Sequence, residues 1–140
     1  MEKKRIFIVD DEAGFTRLLK LTLEKTGNYQ VREENDGTNA WLQAREFKPD
    51  IIFLDIVMPK IDGGAVAQQI RSDPLLAKVP IIFLTAIVSV RETIAKVPII
   101  FLTAIVSRTE TNSEIGGFPF LAKPVSLESI KRCITEHLGE

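Results

Sequence analysis

Residues Ile51–Gly64 read IIFLDIVMPKIDGG, and this stretch decides the fold. Four apolar residues lead to Asp55, and a Met-Pro turn and Asp62-Gly63 follow, as in a strand that is buried on both faces. In an open parallel sheet, ligands bind outside the carboxyl ends of the strands. We therefore expect Asp55 at such an edge, although aspartate is also common where it merely begins a turn.

A regular alternation of strands and helices runs through the rest of the chain. Ile6–Val9 is a second apolar run that ends in acid, at Asp10-Asp11, and Phe118–Ala122 is a last strand that ends at Lys123. Between them, apolar residues recur at helical spacing. This alternation predicts an α/β fold with a doubly wound parallel sheet and right-handed crossovers.

Length and composition favour one domain over residues 1–140. Hydrophobic residues make up 45% of the chain, which is enough for a sizeable core. A net charge of -1, with lysines and arginines spread along the chain, argues against direct nucleic-acid binding. We expect no signal peptide and no membrane span, and hence a cytoplasmic protein. The single cysteine, Cys133, is expected to pack in the last helix.

An internal duplication interrupts the pattern. Residues 77–89, AKVPIIFLTAIVS, recur without a change at 95–107, an offset of 18 residues. With only two copies, this indicates a recent or engineered tandem duplication within about 77–112 rather than a solenoid. Each copy reads as a buried strand that ends at a threonine, Thr85 or Thr103, and only one of them can form the fourth strand.

The sequence allows either copy of the duplicated segment to form the fourth strand. If the two copies lay side by side, the last strand would move out by ~4.8 Å and Lys123 could not reach Asp55. If the first copy forms the fourth strand, the 18 extra residues follow it and lie next to the site. If the second copy forms the strand, the extra residues precede it and lie away from the site. The second copy leads into a weak helix candidate, Ser107–Ile115. In either case the copy that does not form the fourth strand, the spare strand, can pair with a strand of another chain. We therefore expect strand exchange or a homodimer.

Polar side chains gather at the carboxyl ends of the predicted strands, which share one edge of a parallel sheet. They are Asp10, Asp11, Asp55, Lys123 and the threonine of one copy, Thr85 or Thr103. Three carboxylates in one pocket repel each other unless a cation lies among them. Oxygen ligands without histidine or thiol select Mg²⁺ or Mn²⁺, which attract phosphate oxygens. The set therefore predicts phosphoryl transfer with a carboxylate as nucleophile. Taken singly, each residue has an ordinary role at a helix start or in a turn.

These motifs together resemble the receiver domains of two-component response regulators. The matching segments are Val9-Asp10-Asp11-Glu12, Leu54-Asp55, Met58-Pro59, Asp62-Gly63, Phe-Leu-Thr-Ala in either copy, and Phe120-Leu121-Ala122-Lys123-Pro124. The resemblance implies a flavodoxin-like fold with five parallel strands in the order 2-1-3-4-5 and helices on both faces. It also implies a phosphoacceptor signalling domain rather than an enzyme.

The resemblance implies a role for each residue at the strand ends. Asp55 would accept phosphate from a histidine kinase or a phosphotransfer protein. Asp10, Asp11, Asp55 and the carbonyl of Val57 would hold the metal, and Lys123 would contact the phosphoryl group.

Activation and output are also implied by the resemblance. Thr85 or Thr103 would swing towards the phosphoryl group and Phe120 would turn inward, as a two-state population shift. Because we expect no DNA-binding or catalytic domain after Glu140, the signal would leave through a downstream protein target.

Other functions remain to be weighed against a phosphoacceptor. A phosphorylation-silent or engineered receiver scaffold would keep the fold and lose the response. A flavodoxin-like cofactor binder would need phosphate donors where this chain has Asp10-Asp11-Glu12, which would repel a phosphate. A haloacid-dehalogenase-type phosphatase would need a second acid two residues after Asp55, where this chain has Val57.

Overall fold

The described part of the chain alternates between strands and helices. The computed structural model describes residues 2–85, 114–115, 118–123 and 125–139. The strands are β1 (Lys4–Val9), β2 (Tyr29–Glu34), β3 (Ile51–Asp55), β4 (Ile81–Thr85), β5 (Glu114–Ile115) and β6 (Phe118–Ala122). The helices are α1 (Ala13–Lys25), α2 (Ala40–Phe47), α3 (Gly63–Arg71) and α4 (Leu127–Leu138), and a 3₁₀ turn at Gly37–Asn39 precedes α2.

Five parallel strands lie in the order β2-β1-β3-β4-β6. Val9 of β1 is in register with Leu54 of β3, and Thr85 of β4 is in register with Ala122 of β6. The carboxyl ends of these strands therefore meet at one edge. The predicted doubly wound sheet with strand order 2-1-3-4-5 is confirmed, with β6 as its fifth parallel strand.

The two-residue strand β5 was not predicted. It pairs antiparallel with β6, with Glu114 opposite Pro119 and Ile115 opposite Phe118. The helix predicted for Ser107–Ile115 is therefore wrong at its end. Residues 107–113 are rich in Thr, Asn and Ser, which are poor helix formers, whereas the edge of β6 offers unpaired backbone groups.

Two apolar layers cover the faces of the sheet. One contains α2 and α3 against Phe7, Ile52 and Phe83, and the other contains α1 and α4 against Ile8 and Phe53. Helices thus lie on both faces, and the central strands are buried on both sides, as a parallel sheet requires.

The last helix follows its sequence pattern closely. Ser126 is the N-cap, and its hydroxyl accepts a hydrogen bond from the amide of Ser129 at 3.0 Å. Cys133 is buried in the apolar layer that contains α1 and α4, as expected. Among the helices that the structure describes, none combines the length and the apolar character needed to cross a membrane.

The first copy of the duplicated segment provides β4, and β4 pairs directly with β6. The two copies are therefore not inserted side by side between β3 and β6. Thr85 ends β4, whereas Thr103 and the rest of the second copy lie outside the described residues. The spare strand predicted there is likewise outside them.

Candidate functional site

Three carboxylates meet where β1 and β3 end. Asp10 is fully buried, Asp11 is exposed and Asp55 is only 4% exposed. One oxygen from each carboxylate lies within 4.8 Å of the others. The topology explains this cluster, because β1 and β3 are neighbours and Val9 is in register with Leu54, so that Asp10 and Asp55 follow at the same edge.

Lys123, which follows β6, brings a positive charge to the same place. Its Nζ lies 2.7 Å from Asp10 Oδ2, 3.0 Å from Glu12 Oε1 and 3.7 Å from Asp55 Oδ1. The side chain is 15% exposed and its ammonium lies 5.1 Å from the centre of the Phe15 ring. The structure therefore brings Asp10, Asp11, Asp55 and Lys123 together, although 68 residues separate Asp55 from Lys123 in the sequence.

Burial and mutual repulsion disfavour the charged carboxylates. The pKa of Asp55 is raised to about 7, first because the carboxyl is buried and second because Asp10 lies beside it, and Lys123 offsets part of this rise. Burial also raises the pKa of Asp10, although Lys123 and the amide of Glu12 act in the opposite direction. Burial lowers the pKa of Lys123, but contacts with Asp10 and Glu12 outweigh it, so this pKa is raised.

One buried oxygen of the cluster lacks a hydrogen bond. Asp10 Oδ2 is ion-paired with Lys123, but no group in the described part of the chain donates a well-formed hydrogen bond to it. The ion pair offsets part of the cost of burying this charge, and a bound cation would be a further partner for the oxygen. Three carboxylates without histidine or thiol form the donor set of a hard divalent cation, so the residues present fit Mg²⁺ or Mn²⁺.

The backbone around Asp10 is fixed by groups that the sequence motifs did not reveal. The side-chain amide of Asn35 donates to the carbonyl of Asp10 at 2.7 Å and to the hydroxyl of Thr16 at 2.9 Å. The amide of Glu12 donates to Asp10 Oδ1 at 3.0 Å. Asn35 begins the turn-like stretch Asn35-Asp36-Gly37, and its position directly after β2, beside the end of β1, was the available signal.

The loop after β3 is held close to Asp55 by a glycine. A Cβ atom on Gly63 would overlap the carbonyl oxygen of Asp55, and the Gly63 amide donates to the carbonyl of Ile56 at 2.7 Å. Asp62 caps α3 by accepting from the amide of Ala65 at 2.8 Å. The Asp-Gly pair thus starts α3 directly against the end of β3. Val57, whose carbonyl is a predicted metal ligand, lies in this loop and is 68% exposed.

Two further predicted site residues lie on β4 and β6. The backbone of Thr85 ends β4 next to Asp55, whose β-sheet partner is Leu84. Thr103 lies outside the described residues. Phe120 is half-buried in β6 and packs against the α2–α3 layer.

Two transcriptional regulators are similar in sequence to part of this chain. The chain is 37% identical over 90 residues to the DNA-binding dual master transcriptional regulator RpaA of Synechocystis sp., which covers 64% of this chain and 37% of that protein. It is 43% identical over 83 residues to the alkaline phosphatase synthesis transcriptional regulatory protein PhoP of Bacillus subtilis, over 59% of this chain and 33% of that protein. The chain thus spans only about a third of the length of these relatives.

A solved structure shares the fold. The receiver domain of the sensor histidine kinase PA1611 from Pseudomonas aeruginosa PAO1 matches with a TM-score of 0.73 and 25% identity, over 99% of this chain and 100% of that chain. That structure has a magnesium ion coordinated in its active site cleft. The sequence profile described as "Response regulator receiver domain" matches residues 6–94, and the chain belongs to this family.

Proposed function

We propose that Asp55 accepts a phosphoryl group from a histidine kinase or a phosphotransfer protein, and that this switches a protein-binding surface. The observation that carries this proposal is the buried pair of Asp10 and Asp55 with Lys123 3.7 Å from Asp55. In the transfer, an oxygen of Asp55 forms a bond to phosphorus while the bond between phosphorus and the donor breaks. The site is then a self-contained phosphoacceptor rather than an enzyme that acts on a released substrate.

Asp10, Asp11, Asp55 and the carbonyl of Val57 would hold Mg²⁺ or Mn²⁺. Bound there, the ion supplies positive charge that keeps the carboxylates ionised and neutralises phosphoryl oxygens. The hydrogen-bond-deficient Oδ2 of Asp10 is the chain's clearest donor for it.

Lys123 and Thr85 would act on the phosphoryl group itself. The Lys123 ammonium lies within the cluster and needs to shift only a short way to contact an oxygen on phosphorylated Asp55. Thr85 stands at the end of the neighbouring strand β4, and we assign the hydroxyl role to it rather than to Thr103 because the first copy forms that strand.

The output would pass through β6 and α4 to a downstream protein. Phe120 lies on β6, three residues before Lys123, and would turn inward on activation. We propose no direct DNA contact for residues 1–140, whose net charge is -1. DNA binding is named for RpaA, of which this chain spans 37%. The proposal places the protein in the cytoplasm.

Beryllofluoride, a mimic of the phosphoryl group, tests the proposal. Amide NMR spectra of the full chain would be recorded with Mg²⁺ alone and with Mg²⁺ and beryllofluoride. Relative to the spectrum with Mg²⁺ alone, we expect beryllofluoride to shift resonances of β4, β6 and the loops beside Asp55. Asp55→Asn keeps the size of the side chain and removes the attacking oxygen's charge, so it should abolish the response.

An intact fold without any response would contradict the proposal. It would instead select the phosphorylation-silent scaffold, in which the extra residues after β4 disable the site. If the response persists in Asp55→Asn, a residue other than Asp55 accepts the phosphoryl group.

A further inference from the structure

Two residues at the start of α1 contact Lys123 in addition to Asp10 and Asp55. Glu12 Oε1 lies 3.0 Å from the Lys123 ammonium, and the ring of Phe15 lies 5.1 Å from it. Both residues stand outside the set of strand-end residues, and the proposed phosphoryl transfer gives neither of them a role.

Glu12 is not used for the local purpose that its position allows. It is the N-cap of α1, but its side chain makes no capping hydrogen bond with the described residues. Instead it reaches a lysine 111 positions away in the sequence. An N-cap side chain usually satisfies a free amide of its own helix. Here the side chain is directed to the site.

The distances show which neighbours hold the ammonium. It lies 2.7 Å from Asp10 and 3.0 Å from Glu12, but 3.7 Å from Asp55. Phe15 adds a ring face on the same side, where cations are attracted to the π system. Lys123 is therefore held more closely by groups at the end of β1 and the start of α1 than by Asp55.

We propose that Glu12 and Phe15 are positioning residues that, together with Asp10, form a resting seat for Lys123, and that this seat competes with a phosphoryl group on Asp55 for the lysine ammonium. This inference rests on the proposed function for its second half only. The seat sets how readily Lys123 becomes free, and it links the start of α1 to the loop after β6. Removing the seat frees Lys123 and speeds phosphorylation.

Chemical labelling measures the seat without metal or phosphate. Acetylation of Lys123 by N-hydroxysuccinimide acetate in metal-free buffer would be followed by peptide mass spectrometry, with exposed Lys25 as internal reference. Glu12 is 64% exposed, so the contact is of the weak, partly solvated kind, and we expect Glu12→Gln to raise the labelling rate by about two- to fivefold. Phe15→Leu, which keeps an apolar side chain in the layer, should raise it as well.

Two controls separate contact from charge. Glu46→Gln makes the same charge change on a side chain that is 70% exposed and paired with Arg32 instead, and it should leave Lys123 labelling unchanged. Glu12→Asp keeps the charge but is one methylene shorter, so it should behave like Glu12→Gln. If Lys123 in Glu12→Gln or in Glu12→Asp is labelled at the wild-type rate, Glu12 does not hold Lys123 and the proposed resting seat is wrong.

Phosphorylation by acetyl phosphate with Mg²⁺ tests the functional half. We expect Glu12→Gln to accumulate phosphorylated protein about two- to fivefold faster than wild type and Glu46→Gln to match wild type. If wild type is not phosphorylated at all while Glu12→Gln still changes the labelling, the proposed function fails and the seat stands. If wild type is phosphorylated and Glu12→Gln matches it in rate, the functional half of the inference fails.

Discussion

To accept phosphate as proposed, Asp55 would have to carry a negative charge, yet its surroundings oppose that charge. The carboxyl is buried next to Asp10, and its pKa is raised to about 7, with burial as the main cause. Lys123, at 3.7 Å, compensates only in part. The folded, metal-free site therefore keeps a proton near neutral pH, and a divalent cation would compete with that proton. The same group thus couples metal binding, phosphate acceptance and stability.

Asp55→Asn should show this coupling in the pH dependence of unfolding. The folded pKa, about 7, lies above the ordinary value of 3.8, so folding favours the protonated form. The stability that this gives is fully present below the unfolded pKa and is lost as pH rises through 7. In metal-free buffer, the free energy of unfolding of Asp55→Asn relative to wild type should therefore increase by roughly 2 to 4 kcal/mol between pH 4 and pH 8.

Urea unfolding with a chelator present measures this difference. Repeating the titration in saturating Mg²⁺ is the control, because an ion bound only by folded wild type stabilises wild type and should reverse the order at pH 8. A difference between variant and wild type that stays constant with pH would mean that Asp55 is not desolvated in this way.

Strand ends were predictable from the sequence, but the contacts that hold the site were not. Asp10, Asp55 and Lys123 follow apolar runs, and parallel topology then brings such positions to one edge. Asn35 and Glu12 act through side chains that cross between loops. Their partners depend on the backbone path after β2 and before α1, which no periodicity in the sequence encodes.

At the scale of secondary-structure elements, the free edge of β2 is covered by side chains of α1. The carbonyls of Asn28 and Glu34 accept from amides of Lys4 and Asp10, which lie on and just beyond β1, so Val31 turns its backbone groups away from β1. Its amide donates to Glu24 Oε2 at 3.0 Å, and its carbonyl accepts from Lys20 Nζ at 2.8 Å.

Lys20 and Glu24 therefore act as a substitute for a neighbouring strand. They are one helical turn apart and form an ion pair at 3.2 Å. Burial opposes the charge on Glu24, but the Val31 amide and Lys20 outweigh it, so the pKa of Glu24 is lowered. We call the contacts of Lys20 and Glu24 with the Val31 backbone the clamp. Its contribution to stability is fully present above the ordinary pKa of Glu24 and is lost as the pH falls through the lowered pKa of the folded state. Covering an edge strand in this way protects it from pairing with another chain.

Glu24→Ala should open this edge. The amide of Val31 loses a charge-assisted acceptor, and we expect its hydrogen exchange to speed up by roughly tenfold, with a loss of about 1 to 2 kcal/mol in unfolding free energy. Hydrogen exchange followed by NMR resolves this single amide. Glu46→Ala is the matched control, since Glu46 pairs only through its side chain with Arg32. Unchanged exchange at Val31 would show that the clamp does not protect the edge.

Elements were predicted well where tertiary packing agrees with local preference. The bounds of β6 and the Ser126 cap follow from an apolar run and a good N-cap residue. The helix was predicted to reach Ile115, but Glu114 and Ile115 form β5 instead, because the edge of β6 outweighs a weak helical preference. On α1, Leu18 fits the helical pattern and yet is 65% exposed, since periodicity alone does not fix where an apolar stripe ends.

At the scale of the whole molecule, two segments have the same sequence, and only one of them forms β4. The first copy holds it, with Phe83 only 4% exposed and its ring 5.3 Å from that of Phe118. The second copy carries Phe101 at the equivalent position. Because the two segments are identical, neither can have the better fit in β4 itself. The choice between them must come from the connections to α3 and β6, whose closure free energy depends only weakly on length.

The same substitution placed in each copy tests this competition. Phe101→Lys should leave the unfolding free energy within about 0.5 kcal/mol of wild type, because β4 remains intact. Phe83→Lys puts a charge into the core, and the second copy can then replace the first, so the loss is limited to the free energy of reseating. With both lysines no copy can form β4, and we expect a loss of about 4 kcal/mol or more, enough to unfold a domain of ordinary stability.

Urea unfolding followed by circular dichroism gives the three values. If Phe83→Lys is as unstable as the double variant, the second copy cannot substitute for the first, and the two segments do not compete. Size-exclusion chromatography of the same proteins tests the expected homodimer, since Phe101→Lys breaks the apolar run of the second copy. Wild type should self-associate at high concentration and Phe101→Lys should remain monomeric, because a lysine within an exposed strand opposes pairing between chains.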